Sequence, residues 1–129
     1  MSVSRQQALN ELLEEARQLR ISIHANREAE ELLDWAAARH GARPEKYQAV
    51  TFGNDIFVRA RYANDVRVLR EELIHVGQQQ AGLRTDEILE AELEARLLMI
   101  KNRHRWGLLN DEVKTIVDEV RAFRRRGRY

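Results

Sequence analysis

The segment Val68–Gln80, "VLREELIHVGQQQ", decides the fold of this chain. Leu69, Leu73 and Val76 follow one another at offsets of four and three, which places them on one face of a helix. Such an apolar face is stable in water only when other elements cover it. The rest of the sequence must therefore supply the elements that pack against this helix, which is the third predicted along the chain.

A border of polar residues runs beside that apolar face. This border consists of Glu72, His75 and Gln79, which are separated from one another by three and four positions. Glu71 lies one step further from the apolar face. Carboxylate and imidazole groups at these offsets are typical of a metal-assisted or acid–base site, and they are also typical of the solvated face of an amphipathic helix. Three further residues of this helix are expected to point to water: Arg67, Arg70 and Gln78.

Hydrophobic periodicity predicts five helices and one β-hairpin in a single domain, residues 1–129. The helices are expected at about residues 4–20, 27–40, 64–80, 86–106 and 111–124, and the hairpin at about residues 47–61 with its turn at "GND". Since two strands alone are marginally stable, the hairpin is expected to pack on helices, which predicts an α+β fold that is mostly α. The candidate helix caps are Ser4 with Gln7, Asn26, Thr85 and Asn110.

Composition excludes several classes of site. The chain of 129 residues contains no cysteine, so disulfides, thiol catalysis and cysteine–zinc sites are excluded. No apolar run approaches the ~20 residues that a membrane-spanning helix needs, and no membrane partner is expected. The first residues, "MSVSRQQALNELLEEA", are amphipathic and rich in glutamate, which predicts neither a signal peptide nor a transit peptide.

The charge balance says little about nucleic acid. The net charge of +1 gives no support for a nucleic-acid partner. Basic residues do cluster at the end of the chain, at Arg121, Arg124, Arg125, Arg126 and Arg128. This cluster fits a basic patch for nucleic acid or a solvated C-terminus, and the sequence leaves both interpretations open.

The fourth predicted helix carries one carboxylate in an unexpected place. Glu90, Glu94 and Lys101 fall in the polar gap of its helical wheel, whereas Glu92 falls near the middle of the apolar arc. A carboxylate that faces a core is unfavourable unless it is paired or ligated. The partner of Glu92 is either Arg96, at the i,i+4 spacing of a helical ion pair, or a metal ion or histidine on another helix.

The short connection between the third and fourth helices predicts antiparallel packing that brings Glu92 near the polar border. Residues at i and i+4 project from one helix face and can share a metal ion, and zinc accepts imidazole nitrogen and carboxylate oxygen. In this hypothesis Glu71, His75 and Glu92 are the metal ligands, and Glu72 is the general base that accepts a proton from water.

Two stretches carry a resemblance to a known family. "DIFVRARYANDVRVLREELIHVGQQQ" and the later "EAELEARLLMIKNRHRWGLLNDEV" resemble the zincin-like metallopeptidase toxin domains at the C-termini of bacterial polymorphic toxins. Those domains have a strand, a helix bearing His-Glu-x-x-His, and a next helix that opens with Glu and closes in a Leu-Ile-Lys-Asn-like stretch. The resemblance covers roughly Asp55–Val120 and does not extend to the first two predicted helices.

The resemblance implies a role for each matching residue. Glu72 would be the catalytic glutamate, His75 the second metal-binding histidine, and Glu92 the acidic residue that opens the next helix. Glu71 stands where the family has its first histidine, and a site richer in carboxylates suits a harder ion than a typical zinc site does. A divalent metal ion, with zinc as one candidate, is therefore the expected cofactor.

The same resemblance implies a biological setting. We expect a bacterial effector or toxin domain that hydrolyses a protein or peptide substrate and that a cognate immunity protein covers. Such a domain is delivered as the tail of a larger secreted protein and acts in the cytoplasm of the target cell.

Two other functions remain open. Glu72 and His75 could transfer protons and Arg96 could stabilise phosphorane charge in a metal-free ribonuclease toxin, with the basic tail binding RNA. Alternatively the domain is a non-catalytic helical binding module, in which Arg96 is structural. Arg103, His104 and Trp106 could grip a substrate, although a tryptophan before a glycine is typical of packing at a helix end.

Overall fold

The computed structural model describes residues 3–82 and 88–127. Its elements confirm the predicted α+β fold that is mostly α. The helices are α1 (Arg5–Gln18), α2 (Arg27–Arg39), α3 (Val66–Gln80), α4 (Ile88–Lys101) and α5 (Asn110–Arg126), and the strands are β1 (Ser22–His24), β2 (Ala49–Phe52) and β3 (Asp55–Val58). Short 3-10 turns at residues 44–46 and 60–62 flank the hairpin.

The described residues form a sheet of three strands, one more than predicted, in the order β1-β3-β2. β2 and β3 make the predicted hairpin, with Thr51 opposite Ile56 and a left-handed Gly53 (φ 60°) in the turn. β1 pairs with β3 in parallel, placing Ile23 beside Ile56. A strand of three residues is too short to show a period of two, so only its pairing with β3 defines it.

α3 lies at the centre of the fold. It contacts α1 on one side, β2 on another and α4 on a third. Its residues Leu69, Leu73 and Val76 are buried, as their spacing predicts, and they share one core cluster with the sheet residue Ile56. A second cluster joins α3 to α4 and α5 through Val66, Met99 and Ile116. Because α3 is covered on three sides, its polar residues also meet neighbouring elements.

Two residues of α3 predicted to point to water are buried. Arg70 is 4% exposed: its Nη1 donates to Glu15 Oε2 of α1 at 2.7 Å, and its guanidinium lies 4.5 Å from the centre of the Trp106 ring. Gln78 is 7% exposed, and its Nε2 donates to the Ala91 carbonyl of α4 at 2.9 Å. The prediction was wrong because α1 and α4 cover the sides of α3 that its apolar pattern leaves open.

Two of the predicted helix caps are confirmed. Ser4 Oγ accepts a hydrogen bond from the Gln7 backbone N–H at 3.1 Å, and the Gln7 side chain accepts one from the Ser4 N–H at 3.1 Å. Asn26 Oδ1 accepts one from the Ala29 N–H at 2.9 Å. The predicted cap Thr85 lies outside the described residues.

Two helix ends differ from the prediction. α5 begins at Asn110 itself, so the capping role assigned to Asn110 was wrong: Leu109 is the cap residue, and its N–H donates to Glu112 Oε1 at 2.9 Å. α4 ends at Lys101 instead of near residue 106, and residues 102–107, "NRHRWG", continue as turns. Asn, His, Trp and Gly are weak helix formers, which favours an early end.

Among residues 3–82 and 88–127, no helix combines the length and the apolar character that crossing a bilayer requires.

Candidate functional site

A cleft of about 460 Å³ lies between β2, α3 and α4, with Glu119 of α5 in its wall. Its lining includes six of the residues singled out in the sequence: Glu71, Glu72, His75, Gln79, Glu92 and Arg96. α3 presents its polar border to this cavity, and α4 presents Glu92 and Arg96, which lie one helical turn apart. Among the residues that the structure describes, His104 is not one of those that line the cleft.

Three potential ligand residues converge in this cleft. One ligand atom each from Glu71, His75 and Glu92 lies within 4.8 Å of the other two. His75 Nε2 is 3.5 Å from Glu92 Oε1, so the packing of α3 on α4 does bring the polar border to Glu92. Glu92 also contacts Arg96, so both partners considered for it are present.

The orientation of His75 follows from its hydrogen bonds. Gln78 Nε2 donates to the Ala91 carbonyl and to Glu94 Oε1, which leaves Gln78 Oε1 as an acceptor. Nδ1 of His75 lies 2.8 Å from that oxygen and therefore carries a proton. In the neutral imidazole the lone pair is then on Nε2, the nitrogen that faces Glu92.

The surroundings of His75 favour its charged form. Burial works against the imidazolium, but the carboxylates of Glu92 and Glu72 outweigh burial, and the pKa of His75 is raised. The imidazolium of His75 can therefore pair with the Glu92 carboxylate across the cleft.

Glu72 occupies the wall between α3 and the sheet. Its Oε2 accepts a hydrogen bond of 2.6 Å from Thr51 Oγ1 of β2, and both side chains are buried. Burial raises the pKa of Glu72 to about 7, against the opposing effects of the Thr51 hydroxyl and of His75. A carboxyl group with this pKa can accept or release a proton near neutral pH. Burial likewise raises the pKa of Glu71, against the nearby charge of Arg96.

Arg96 is the main positive charge of the cleft, and it is 4% exposed. Its Nη1 lies 3.1 Å from Glu71 Oε1 and also contacts Glu92 Oε2, while its Nη2 donates to Glu119 Oε2 at 3.1 Å. The guanidinium carbon lies 4.8 Å from the centre of the Phe123 ring. These carboxylates outweigh the desolvation of the guanidinium, so the pKa of Arg96 is raised.

Glu119 and Arg67 belong to the site, and the sequence analysis missed both. Arg67, predicted to point to water, is partly buried and donates from Nη2 to Glu119 Oε1 at 2.7 Å. Glu119 comes three residues after Ile116 and four before Phe123, which lie on the buried face of α5. The helical-wheel test that singled out Glu92 would therefore have placed Glu119 at the border of the core.

Gln79 and His104, the two further candidates, hold different places. Gln79 ties α3 to the hairpin: its Nε2 donates to the Thr51 carbonyl at 3.2 Å, and its Oε1 accepts from the Gly53 N–H at 3.1 Å. His104 lies in the turns after α4, where its carbonyl accepts from the Val3 N–H at 3.4 Å. Gln79 thus positions the β2 wall of the cleft, and His104 belongs to another part of the molecule.

The geometry of the three ligand atoms can be compared with that of a metal site. Ligands about 2.0–2.1 Å from a tetrahedral zinc ion lie roughly 3.4 Å apart. His75 Nε2 and Glu92 Oε1 are 3.5 Å apart, and a ligand atom of Glu71 lies within 4.8 Å of one atom of each. The carboxylates of Glu71, Glu92 and Glu119 face two guanidinium groups, which leaves a formal charge of −1 before Glu72 is counted. Both the donor set and the residual charge fit a divalent cation.

The chain was also compared with known proteins. A family model for the eCIS core domain, the core of extracellular contractile injection systems, matches residues 6–83. The chain belongs to the eCIS core domain family. The match runs from α1 to just beyond α3, so it includes the first two helices, which the zincin-like resemblance does not reach. No curated protein and no solved structure matches the chain.

Membership of this family supports the association with a toxin or injection system and does not specify a zincin-like metallopeptidase. The matched residues contain Glu71, Glu72 and His75, whereas Glu92 and Arg96 lie beyond them. The family region therefore supplies most of the cleft lining, and the helices that follow it supply Glu92, Arg96 and Glu119.

Proposed function

We propose that this eCIS core domain is a toxin-system or effector domain whose cleft binds a divalent metal ion and hydrolyses a protein or peptide substrate. The observation that carries the proposal is the convergence of Glu71, His75 and Glu92 beside the buried carboxyl group of Glu72. An oxygen-rich set with one imidazole suits zinc or a harder divalent ion. When bound, such an ion polarises a substrate carbonyl and lowers the pKa of a water molecule.

Glu72 is the general base of this proposal. Thr51 Oγ1 donates a hydrogen bond to its Oε2, and its Oε1 is the oxygen that would accept a proton from water. A pKa of about 7 keeps a large fraction of Glu72 ionised at neutral pH and still allows it to return the proton to a leaving amine. The neighbouring His75 is held by Gln78, so its Nε2 points to the cleft as a ligand nitrogen should.

Membership of the eCIS core family supports an injection-system context for this domain. Within that context we propose that the domain reaches a target cell as part of a larger secreted protein. A cognate immunity protein that covers the cleft would then protect the producing cell.

The ribonuclease alternative is less compatible with the charges of the cleft. Arg96 is engaged by Glu71, Glu92 and Glu119, so its charge is not available to a phosphorane. The excess of carboxylates would also repel a phosphodiester backbone.

The non-catalytic alternative has one observation in its favour. Arg96 already pairs with Glu71 and Glu92, so the cleft has a cation of its own. In a pure binding module this ion cluster would serve only to hold α3, α4 and α5 together. Metal binding separates this alternative from the hydrolase.

Isothermal titration with Zn²⁺ and Mn²⁺, with elemental analysis of the dialysed protein, tests the metal site. We expect one ion per chain in the parent and at least a tenfold loss of affinity in Glu92→Gln and His75→Ala, since each removes a ligand. Glu90→Gln, on the exposed face of α4, and His104→Ala, outside the cleft, are the matched controls and should bind as the parent does. Absence of binding in the parent, or equal loss in the controls, would overturn the site.

Peptide-library digestion then tests the reaction. We expect cleavage by the metal-loaded parent and none by Glu72→Gln, which should still bind the ion because Glu72 is not a ligand. A metal-loaded parent that cleaves no peptide in the library would overturn the hydrolase and leave the metal site standing.

A further inference from the structure

Arg96 occupies the carboxylates that a metal ion would use. Its Nη1 lies 3.1 Å from Glu71 Oε1 and contacts Glu92 Oε2, so one guanidinium nitrogen bridges two of the three candidate ligands. A metal ion coordinated by those oxygens would stand beside a fixed positive charge. Cation repulsion at such short range in a buried site is strong. The ion and Arg96 Nη1 therefore compete for the same two carboxylates.

Arg96 also has partners that lie away from the candidate ligands. Its Nη2 donates to Glu119 Oε2 at 3.1 Å, and its guanidinium stacks on Phe123 at 4.8 Å. Glu119 is anchored from its other oxygen by Arg67 Nη2 at 2.7 Å. A small turn of the guanidinium toward Glu119 would release Glu71 and Glu92 and still leave Arg96 paired and stacked.

We propose that Arg96 is a positioning residue that stands in for the metal ion. In the ion-free protein it holds Glu71 and Glu92 together and offsets their repulsion, and it swings to Glu119 when the ion binds. The inference rests on the proposed metal site, and it adds that Arg96 opposes metal binding: the affinity of the cleft for a divalent ion is set by how easily Arg96 is displaced.

The inference can be tested by whether metal affinity rises or falls when Arg96 is replaced. A purely structural role for Arg96 predicts that its replacement weakens metal binding, because the cleft loses its shape. Competition predicts the reverse: Arg96→Met, which keeps the length and removes the charge, should bind Zn²⁺ at least roughly tenfold more tightly than the parent. Arg96→Lys keeps a positive charge but loses the planar guanidinium that bridges the carboxylates, so it should gain less metal affinity than Arg96→Met does.

Arg70→Met is the matched control. Arg70 is also 4% exposed, pairs with a carboxylate (Glu15) and stacks on an aromatic ring (Trp106), but it lies outside the cleft lining. We expect Arg70→Met to lose stability to a similar extent and to keep the metal affinity of the parent. Thermal unfolding of each variant reports stability beside the titration.

A second approach keeps Arg96 in place, should the neutral variants fail to fold. Zn²⁺ is titrated into the parent while its arginine Nε–Hε NMR signals are followed, and Arg96→Lys identifies the Arg96 signal. The inference expects that signal to shift with metal occupancy, while the Arg70 signal stays in place.

The outcomes separate this inference from the proposed function. If the parent binds Zn²⁺ and Arg96→Met binds it equally or less tightly, the competition is wrong and the metal site stands. If only Arg96→Met binds, the competition is supported and the proposed function of the parent chain is wrong. If neither binds, both are overturned. An Arg96 signal that does not move while the ion binds would also overturn the competition.

Discussion

The hydrogen bond between Thr51 and Glu72 gives a sharp prediction. Thr51 Oγ1 donates to Glu72 Oε2 at 2.6 Å, and both residues are buried. Thr51→Val keeps the shape of the side chain and removes the donor. A buried hydrogen bond to a charged group contributes about 1.5–3 kcal/mol, and one to a neutral group about 1 kcal/mol. We expect Thr51→Val to cost about 1.5–3 kcal/mol at pH 8.5, where Glu72 is ionised, and less at pH 5, where it is protonated.

The same change should raise the pKa of Glu72 further. The hydroxyl of Thr51 lowers that pKa against the effect of burial, so its removal leaves burial less opposed. A difference of about 1.4 kcal/mol between the two pH values corresponds to a rise of about one pKa unit. Urea unfolding at both pH values gives the free energies, and NMR titration of the glutamate side chains gives the pKa.

Two variants serve as controls for Thr51→Val. Thr51→Ser keeps the hydroxyl and should keep most of the pH dependence. Thr115→Val makes the same chemical change on the exposed surface of α5, where the hydroxyl donates to the Asp111 carbonyl at 3.1 Å, and should have an effect of less than about 1 kcal/mol. A Thr51→Val variant that loses equal stability at pH 5 and pH 8.5 would refute the coupling between the hydroxyl and the charge of Glu72.

Two further predictions concern stability. The pKa values of Glu72 (about 7, against a usual 4.5) and of His75 are both raised, so the folded protein binds protons more tightly than the unfolded chain. The free energy of unfolding should therefore fall as pH rises from about 5 to 8, and urea titrations should show a weaker fall in Glu72→Gln. Gly107→Ala should cost about 2–4 kcal/mol in thermal unfolding, because φ is +67° and the new Cβ would lie 2.6 Å from Ala8 Cβ. Gly41→Ala, with φ +65° and open space around it, should cost only about 1–2 kcal/mol, and equal losses would refute the packing argument.

Local rules predicted much of the fold. The spacing of Leu69, Leu73 and Val76 located α3 and its buried face, because a helix repeats every 3.6 residues whatever surrounds it. Ser4 and Asn26 were predicted as caps because a cap acts only on the next few backbone N–H groups. The hairpin followed in the same way from two short β-rich segments around a Gly-Asn turn.

The same rules found part of the cleft. Glu92 stood out because a carboxylate in an apolar arc needs a partner, and the structure supplies two, Arg96 and His75. The metal-binding and catalytic roles of Glu92, His75 and Arg96 remain predictions. The spacing of Glu119 from Ile116 and Phe123 places it at the edge of the apolar arc of α5, but that position does not show that Arg67 and Arg96 pack against it.

The sequence by itself determined where α1 and α2 begin and which face of α3 is apolar, since both depend on residues within one or two turns of each other. Only the tertiary structure decided that Arg70 and Gln78 are buried, because α1 and α4 happen to cover those sides of α3. It also decided that Glu71, Arg96 and Glu119 meet in one cluster, although they come from three different helices. Charges so distant along the chain interact only after packing has brought them into a buried site, where water no longer screens them.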